Sequence, residues 1–335
     1  MKSYEEELRG TFRECKPVAA RLVLSRISRR DRHLREMVHY ALDPQTESEY
    51  PFVFRYAFCR RPSDAPRTTR LAAAIHLLQS SIFITDDIFD GSERRYHREA
   101  LHTRYGTSYA IVAAELLQGV AQEVFSEEAG RRGIANTKAA QRTLQRILTD
   151  VYLGQYLDLF QAGRLRVCVA DYRRAIKGGM GLLFANVARF AAFLAGKSPR
   201  EIAALFEFGF HYGLAMMISD DVVDLLQTPD RTGKNFAVDL KGRKMRLPVL
   251  VALRTAPPSA RRRIRSFLVG RNSPRPLLKE VVRDIRDSGA LEKCTAAARS
   301  HVERAKRSLA RFDDGVCKGA LTWLAASLLH AQKLE

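Results

Sequence analysis

The sequence predicts an all-α fold, a single-domain helical bundle, and three features of the chain point to it. Apolar residues recur at helical spacing over long stretches. The regular alternation of apolar and polar residues that marks half-buried strands is missing. Two apolar, helix-length segments each lead directly into a cluster of aspartates, at residues 75–90 and 211–224. We therefore expect one domain over residues 1–335 in which two aspartate-rich helices face a central cavity.

The N-terminal part is predicted to be helical, with polar breaks. Residues 3–16 and 18–42 have the spacing of two helices, and the polar segment 43–50 follows them. Residues 50–58 are so apolar that they fit either a buried strand or the approach to a long helix. After a turn at 63–66, the predicted elements are the first aspartate helix at 67–90 and a polar loop at 91–98.

The rest of the chain continues the helical pattern. Predicted helices span residues 107–129, 135–161 and 170–195, and the last is rich enough in Ala and Gly for close packing. Ser198 and Pro199 open the helix that reaches the second aspartate cluster, as N-cap and first helical residue. A long loop at 228–243 precedes three or four further helices, with breaks near Pro257, Pro258, Pro274 and Gly289.

The first aspartate cluster consists of Asp86, Asp87 and Asp90. Positions four apart share a helix face, so Asp86 and Asp90 point the same way and Asp87 is rotated off that line. Carboxylates this close repel one another and lose hydration if buried, unless a cation lies between them. Taken alone, the cluster also fits a solvated helix end.

The second cluster repeats the design with Asp220, Asp221 and Asp224. It is embedded in apolar residues that a solvated acidic face would not need: Met216, Met217, Ile218, Val222 and Val223. Two oxygen-only clusters favour Mg²⁺, which combines a few carboxylates with substrate phosphates and water. Cations follow both clusters, at Arg94, Arg95, Arg231, Lys234 and Lys244. Together these groups predict a site for a di- or triphosphate.

The ordered set of motifs resembles the trans-isoprenyl diphosphate synthases, the polyprenyl synthetase family. Residues 86–95 match the family's DDxxDxxxRR, and LHTRYG at 101–106 matches its HxxxG. Its GQxxD corresponds to Gly154, Gln155 and Asp158. ISDDVVD at 218–224 matches the second aspartate motif, and the family's GK and D-x8-P follow at 233–234 and 239–248. The resemblance covers about residues 50–255.

This resemblance implies a prenyltransferase that ionises an allylic diphosphate and condenses it with isopentenyl diphosphate. It also implies three Mg²⁺ ions shared with the substrate diphosphate, and a homodimer. Metal binding is expected first from Asp86, Asp90 and Asp220, with Asp87, Asp221 and Asp224 as further ligands or orienting groups. The residues implied in substrate binding are Arg94, Lys177 and Lys234 for the allylic diphosphate, Arg95 and Arg55 for isopentenyl diphosphate, and Lys244.

The chain departs from the family mainly on the acceptor side. The family's GKxxRP is aligned with residues 52–56, so that Phe52 stands where the family has Lys and Tyr56 where it has Pro. Gln79 stands where a His usually precedes the first Asp by seven residues. On the allylic side, Gly178 and Met217 replace a Thr and a Gln. We therefore expect weakened affinity for isopentenyl diphosphate.

Product length is expected to depend on the positions four and five places before the first Asp. In the resembling family, bulky residues at these positions stop chain growth. Here they are Ile82 and Ser81, and neither is an aromatic plug. This predicts a substrate or product of about four isoprene units or more. The alternative is that another helix, at residues 110–117, provides the floor.

Two other functions stay open at this point. The altered acceptor side also fits a terpene cyclase, which needs no second diphosphate, or a prenyltransferase with a different acceptor. A non-catalytic regulatory subunit or polyanion-binding protein is the third possibility, although such a protein has no need for two complete aspartate clusters. Assays with and without isopentenyl diphosphate separate these hypotheses.

The formal net charge of +19 attracts polyanions or anionic membranes. The densest basic runs, at residues 25–35 and 260–267, lack interleaved aromatic residues, so we expect no nucleic acid partner. Peripheral contact with an anionic membrane is an expectation that this charge allows. The five cysteines are scattered without a CxxC pair, and the N-terminus is polar, which favours a cytoplasmic location.

Overall fold

The computed structural model describes residues 3–43, 48–95, 97–131, 133–226, 237–270 and 275–330. The first half contains α1 Tyr4–Leu24, α2 Arg32–Ala41, α3 Glu49–Phe58, a 3₁₀ helix Pro62–Thr68, α4 Thr69–Asp90, β1 Arg94–Arg95, β2 Arg98–Glu99, α5 Leu101–Tyr105, α6 Thr107–Gly130 and α7 Ile134–Gln161. The second half contains α8 Val169–Ile176, a π-helical turn Lys177–Gly181, α9 Leu182–Leu194, α10 Pro199–Leu226, α11 Val238–Lys241, α12 Leu247–Thr255, α13 Pro258–Val269, α14 Arg275–Asp287, α15 Ala290–Ser308, a 3₁₀ turn Leu309–Arg311 and α16 Val316–His330. Within the described residues, the one exception to helical structure is a short antiparallel hairpin formed by β1 and β2. The predicted all-α class is therefore confirmed.

The N-terminal helices differ from the predicted ones in where they break. Helix α1 runs through Pro17, because this proline lies on the exposed face, where the carbonyl that it leaves without a donor can meet water. The break falls instead between α1 and α2. Residues 50–58, which were ambiguous in the sequence, form most of α3. All of them are buried, as expected of a helix surrounded by others, here α1, α4, α9 and α16.

The two aspartate helices, α4 and α10, are central elements of the bundle. Helix α4 packs against α1, α3 and α6, and α10 packs against α9 and α15. Gly91 follows Asp90 with φ +61°, a left-handed conformation that ends α4 directly after the first aspartate cluster. Both helices are long and apolar enough, by length and composition, to cross a membrane, as central helices of helical bundles also are.

The start of α10 and its contact with the π-helical turn follow from local sequence. Ser198 and Glu201 form the predicted cap, in which Glu201 N–H donates to Ser198 Oγ at 3.3 Å and Ser198 N–H donates to Glu201 Oε2 at 2.7 Å. Farther along, Gly213 faces the π-helical turn, where a Cβ would lie 2.2 Å from Met180 O. Glycine therefore lets α10 approach the backbone that borders the candidate site.

Candidate active site

A cavity of about 360 Å³ lies between α4, α7, the π-helical turn and α10, and we call it the aspartate cavity. Its polar part is lined by acidic residues from five elements: Glu49, Asp86, Asp90, Asp158, Asp220, Asp221 and Asp239. Its apolar part is lined by Ile82, Phe83, Val151, Ile176, Met180, Leu183, Met216 and Met217. The prediction that the two aspartate helices face a common cavity is confirmed.

The first aspartate cluster divides as its helical spacing predicts. Asp86 and Asp90 line the aspartate cavity, whereas Asp87 is buried and turned to one side. Both carboxylate oxygens of Asp87 accept hydrogen bonds from Arg95 Nε, at 2.9 and 2.8 Å. Arg95 also places its Nη2 3.1 Å from Asp86 Oδ2, so one guanidinium joins two members of the cluster.

The second cluster divides in a similar way. Asp220 is exposed to the cavity, and Asp221 is buried beneath it. Asp221 Oδ2 accepts a 2.6 Å hydrogen bond from the Tyr172 hydroxyl. Asp224 does not line the aspartate cavity, and its Oδ1 instead accepts a 3.0 Å hydrogen bond from Val238 N–H, which connects α10 to α11. The geometry therefore exposes Asp220 to the cavity and gives Asp224 a contact that orients the chain.

Two buried cations, Lys244 and Arg246, neutralise the carboxylates behind the cavity. Lys244 Nζ lies 2.6 Å from Asp90 Oδ1 and 3.0 Å from Asp158 Oδ2. Arg246 places Nη1 2.8 Å from Asp158 Oδ1 and Nε 3.0 Å from Asp239 Oδ2. The sequence indicated Lys244 but gave Arg246 no role. No sequence signal pointed to Arg246, because an arginine in a basic chain gives no indication that it is buried.

The electrostatics of the cavity reflect crowded, buried carboxylates. Burial, followed by repulsion from Asp86, raises the pKa of Asp90 to about 7. Burial is also the main reason that the pKa of Asp221 rises to about 7. Burial and Arg246 lower the pKa of Lys244, but the carboxylates around it outweigh them and raise it above its ordinary value. Lys244 is therefore charged. The raised pKa values of Asp90 and Asp221 indicate that a further cation beside them would stabilise their ionised forms.

The donor set fits a hard divalent cation. The ligands on offer are carboxylate oxygens, and Asp221 Oδ1 is buried without a hydrogen-bond partner. Among the described residues, no three Asp, Glu, His or Cys side chains are grouped closely enough to hold a metal ion by themselves. Mg²⁺ commonly uses only one or two carboxylates together with substrate phosphates and water. Asp86 and Asp90 on one side and Asp220 on the other offer that arrangement.

Arg95 separates the aspartate cavity from a smaller one of about 80 Å³, which we call the Gln79 cavity. Its polar lining consists of Ser48, His76, Gln79, Asp87, Arg95 and Arg98, among other residues. The Ser48 hydroxyl contacts the Gln79 side-chain oxygen. The Arg95 guanidinium also lies 4.5 Å from the centroid of the Phe83 ring, and both residues line both cavities. Gln79 and Arg95, which sequence reasoning assigned to substrate binding, are thus brought together.

Arg55 and Phe52 lie away from this region, because α3 places both side chains in the buried interior. The Arg55 side chain is only 4% exposed, and its Nη2 lies 2.6 Å from Glu14 Oε2 on α1. Phe52 is fully buried beside Tyr56 and Trp323. Residues 52–56, which are aligned with the family's GKxxRP, therefore do not line either cavity in this structure. Ser48, just before α3, is the residue that reaches Gln79.

Other predicted site residues also lie outside the two cavities. Arg94 is exposed, and its guanidinium donates to the His97 carbonyl oxygen at 2.7 Å. Lys177 does not line the aspartate cavity but a different one, on another side of α8. Ser81 is buried outside the lining, which its neighbour Ile82 reaches. Lys234 and Arg231 lie outside the described residues.

Relatives of this chain were found by sequence. Residues 31–285 match the polyprenyl synthetase family. A short chain isoprenyl diphosphate synthase of Methanothermobacter thermautotrophicus is 31% identical over 271 residues, which cover 81% of each protein. A geranylfarnesyl diphosphate synthase of Aeropyrum pernix is 32% identical over 247 residues, covering 73% of this chain and 76% of the relative.

Solved structures share the fold. A polyprenyl synthase from Caulobacter crescentus, solved with calcium and isoprenyl diphosphate, has a TM-score of 0.87 at 23% identity and covers 99% of this chain and 98% of its own. A geranylgeranyl pyrophosphate synthase from Corynebacterium glutamicum, solved with isoprenyl diphosphate and magnesium, has a TM-score of 0.84 at 20% identity, with coverage of 97% and 99%. With the family match over most of its length and relatives above 30% identity, the chain belongs to the polyprenyl synthetase family and is a prenyltransferase.

Proposed function

We propose that this chain is a Mg²⁺-dependent trans-prenyltransferase that condenses an allylic diphosphate with isopentenyl diphosphate, giving a product of about four isoprene units or more. One observation carries this proposal. Carboxylates from α4 and α10 meet at the polar part of a cavity whose remaining walls are apolar, and Arg95 joins that cavity to a second polar one. Such a pair of cavities suits two diphosphates whose hydrocarbon ends must meet.

The aspartate cavity is the site for the allylic substrate. Asp86, Asp90 and Asp220 would hold Mg²⁺, which stabilises the charge that develops on the departing diphosphate. The family resemblance implies that three ions take part. Lys244 and Arg246 keep the carboxylates behind the cavity neutralised and fixed, so that the remaining oxygens face the ligand.

The reaction exchanges a carbon–oxygen bond for a carbon–carbon bond. The allylic C–O bond breaks, and the diphosphate leaves with the electron pair. The double bond of isopentenyl diphosphate attacks the resulting allylic cation, and loss of a proton restores a double bond in the lengthened diphosphate. The walls formed by Phe83, Met180 and Met217 exclude water and offer polarisable groups to the cation.

The Gln79 cavity is the candidate site for the acceptor diphosphate. Arg95 and Arg98 line it, and each can donate charge-assisted hydrogen bonds to phosphate oxygens. Phe83 belongs to the walls of both cavities, so it lies where the two hydrocarbon portions would approach each other. Gln79 in place of a His leaves this site with one titratable donor fewer than the family pattern, which supports the expected weak affinity for isopentenyl diphosphate.

The terpene cyclase hypothesis is not favoured. The curated relatives, including the short chain isoprenyl and geranylfarnesyl diphosphate synthases, are named for making diphosphates. A non-catalytic subunit is also a poor fit, because both aspartate clusters keep residues that line the cavity. The acceptor cavity gives a further reason to prefer condensation, since a cyclase has no use for a second site with two arginines.

A homodimer is part of the proposal. Helices α6 and α7 pack side by side and carry large apolar side chains that are exposed in the single chain: Tyr109, Ile111, Val112, Leu153, Tyr156 and Phe160. Large exposed apolar side chains on two neighbouring helices favour an interaction site. A second copy of the chain is the occupant that the family resemblance implies. Light scattering after gel filtration should give twice the chain mass, and Val112→Glu with Tyr156→Glu should give the monomer.

The decisive experiment supplies each substrate separately. Purified protein is incubated with geranyl, farnesyl or geranylgeranyl diphosphate, with or without radiolabelled isopentenyl diphosphate, in Mg²⁺ or in EDTA. We expect a longer prenyl diphosphate only when both isopentenyl diphosphate and Mg²⁺ are present. A hydrocarbon or alcohol formed without isopentenyl diphosphate would establish a cyclase instead. Diphosphate binding without turnover would indicate a regulatory or polyanion-binding protein.

A further inference from the structure

A separate cavity of about 520 Å³ lies between α8, α10 and α15, and we call it the His301 cavity. Its inner wall is apolar and consists of Tyr172, Ile176, Phe210, Leu214, Ile218, Leu247 and Ala297. Its polar side chains are Arg173, Lys177, Ser300, His301 and Arg304. Among the residues that the structure describes, no carboxylate lines it, in contrast to the aspartate cavity. The His301 cavity therefore combines an apolar interior with a cationic rim.

The cations of the rim are available to a ligand. Arg173, Lys177 and Arg304 are exposed, and none of them forms an ion pair with another described residue. Arg304 and Arg173 both contribute to lowering the pKa of His301, after burial and His211, and that pKa is about 4. His301 is thus neutral at physiological pH, and its Nδ1 lies 3.0 Å from Nδ1 of His211. The cavity has an uncompensated positive potential, which attracts anions.

The two cavities share a wall. Ile176, at the end of α8, lines both the His301 cavity and the aspartate cavity. The π-helical turn follows directly, with Lys177 on the rim of the former and Met180 in the lining of the latter. π-helical turns occur often at functional sites and depart from regular helix geometry. A ligand that displaces Ile176 or holds Lys177 therefore changes the wall of the aspartate cavity.

We propose that the His301 cavity is a second binding site for an amphiphile with a phosphate or diphosphate headgroup and one apolar chain, and that its occupant is the prenyl diphosphate product. The occupant's identity rests on the proposed function, whereas the site itself does not. Arg173, Lys177 and Arg304 hold the diphosphate, and the hydrocarbon chain lies along Phe210, Leu214 and Ile218. Occupancy restricts the aspartate cavity through Ile176, so the product inhibits its own synthesis without competing for the allylic site.

The first test measures binding in EDTA, where diphosphate binding at the metal-dependent aspartate cavity is suppressed. With the Gln79 cavity saturated by isopentenyl diphosphate, calorimetry with geranylgeranyl diphosphate is expected to show one remaining site in the wild type. The double variant Arg173→Gln with Arg304→Gln should lose affinity by about a hundredfold or more, since two charge-assisted contacts are removed. The matched control, Arg262→Gln with Arg265→Gln, removes the same charge from α13, away from this cavity, and should bind like the wild type.

Further arms identify the ligand chemistry. Inorganic diphosphate and geranylgeraniol should each bind at least tenfold more weakly than geranylgeranyl diphosphate, because each lacks one half of the amphiphile. Equal binding by inorganic diphosphate, or equal losses in the control variant, would overturn the site. Phosphatidylglycerol vesicles that bind the wild type and displace geranylgeranyl diphosphate would keep the site but overturn the product as its occupant.

The regulatory part is tested by kinetics. Added geranylgeranyl diphosphate should inhibit the wild type noncompetitively against the allylic substrate, and the Arg173→Gln, Arg304→Gln variant should retain basal turnover but lose this component. Purely competitive inhibition in both proteins would overturn the regulation. If the chain showed no prenyl transfer at all, the EDTA binding result would still decide whether the site exists, so the two proposals fail separately.

Discussion

Lys244 Nζ lies 2.6 Å from Asp90 Oδ1, so a cation of the chain itself partly neutralises a carboxylate that we assign to metal binding. Both side chains are largely buried, at 5% and 11% exposure. Removing one partner of a buried ion pair leaves an uncompensated charge, which typically costs about 3–5 kcal/mol. The pair therefore matters for the folded state as well as for catalysis.

We expect Lys244→Met to lower the free energy of unfolding of the metal-free protein by about 3 kcal/mol or more. Added Mg²⁺ should recover part of this loss, because a divalent ion then compensates Asp90. Urea unfolding in EDTA and in Mg²⁺ measures both effects. Lys241→Met, on the exposed side of the same segment, is the control and should change stability little. Equal effects of the two substitutions would contradict the role of the buried pair.

The metal-binding assignment is tested by the aspartates that line the cavity. Asp86→Ala and Asp220→Ala are each expected to reduce kcat by about a thousandfold or more, because charge stabilisation of the leaving group by metal supplies several kcal/mol. The exposed Asp313, far along the chain before α16, provides Asp313→Ala as a control. Circular dichroism should show intact helix in all three. Normal turnover in either cavity variant would remove the shared-metal mechanism.

Much of this site could be predicted because its chemistry is local to two helices. The i and i+4 spacing was enough to place Asp86 and Asp90 together and to turn Asp87 away, as the structure has them. Asp224 is different, because it accepts a hydrogen bond from Val238 at the start of α11. The spacing of residues along α10 contains no information about this contact. Expectations on the single domain, the cytoplasmic location and membrane contact stay predictions.

Other assignments needed information that is not local. Arg55 was aligned by its position in a short motif, but a helix that is buried on all sides must place each residue against some neighbour, and Arg55 meets Glu14. The buried Arg246 was missed because an arginine in a basic chain carries no sequence signal of burial. Its partners Asp158 and Asp239 come from 88 and 7 residues away, so only the fold brings this cluster together.

The acceptor site is tested at Gln79. Gln79→His should lower KM for isopentenyl diphosphate about tenfold, since an additional donor to phosphate contributes roughly one charge-assisted hydrogen bond. The KM for the allylic diphosphate should stay the same. By contrast, Phe52→Lys should prevent stable folding, because Phe52 is fully buried in the core. A stable Phe52→Lys protein with improved acceptor binding would instead support a role of position 52 in the acceptor site.

His76 gives the protein a specific sensitivity to acid. It is buried with its ring edge-on to Phe12, and burial is the main cause that lowers its pKa to about 4. Because the folded-state pKa lies below the ordinary value, this group's contribution to stability is present above about pH 6.5 and is lost as the pH falls towards 4.

Between pH 7 and pH 5, the loss from His76 should be about 2 kcal/mol of unfolding free energy. Denaturant unfolding of the wild type and of His76→Leu at both pH values isolates this contribution, since the other histidines are common to both proteins. His39→Leu, at an exposed position, should retain the wild-type pH dependence. An identical pH dependence in the His76→Leu protein would contradict the assignment.

The geometry also predicts which residue limits product length. It favours Ile82 over Ser81 as that residue. Ile82 lines the aspartate cavity, whereas Ser81 is buried outside the lining. Ile82→Trp should therefore fill part of the space for the growing chain and shift the product towards fewer isoprene units. Ser81→Phe should instead destabilise the protein, because it forces a large ring into a packed interior. Mass spectrometry of the products and thermal unfolding of both variants separate the two effects. If Ser81→Phe folds normally and shortens the product while Ile82→Trp does not, the chain grows along the other side of α4.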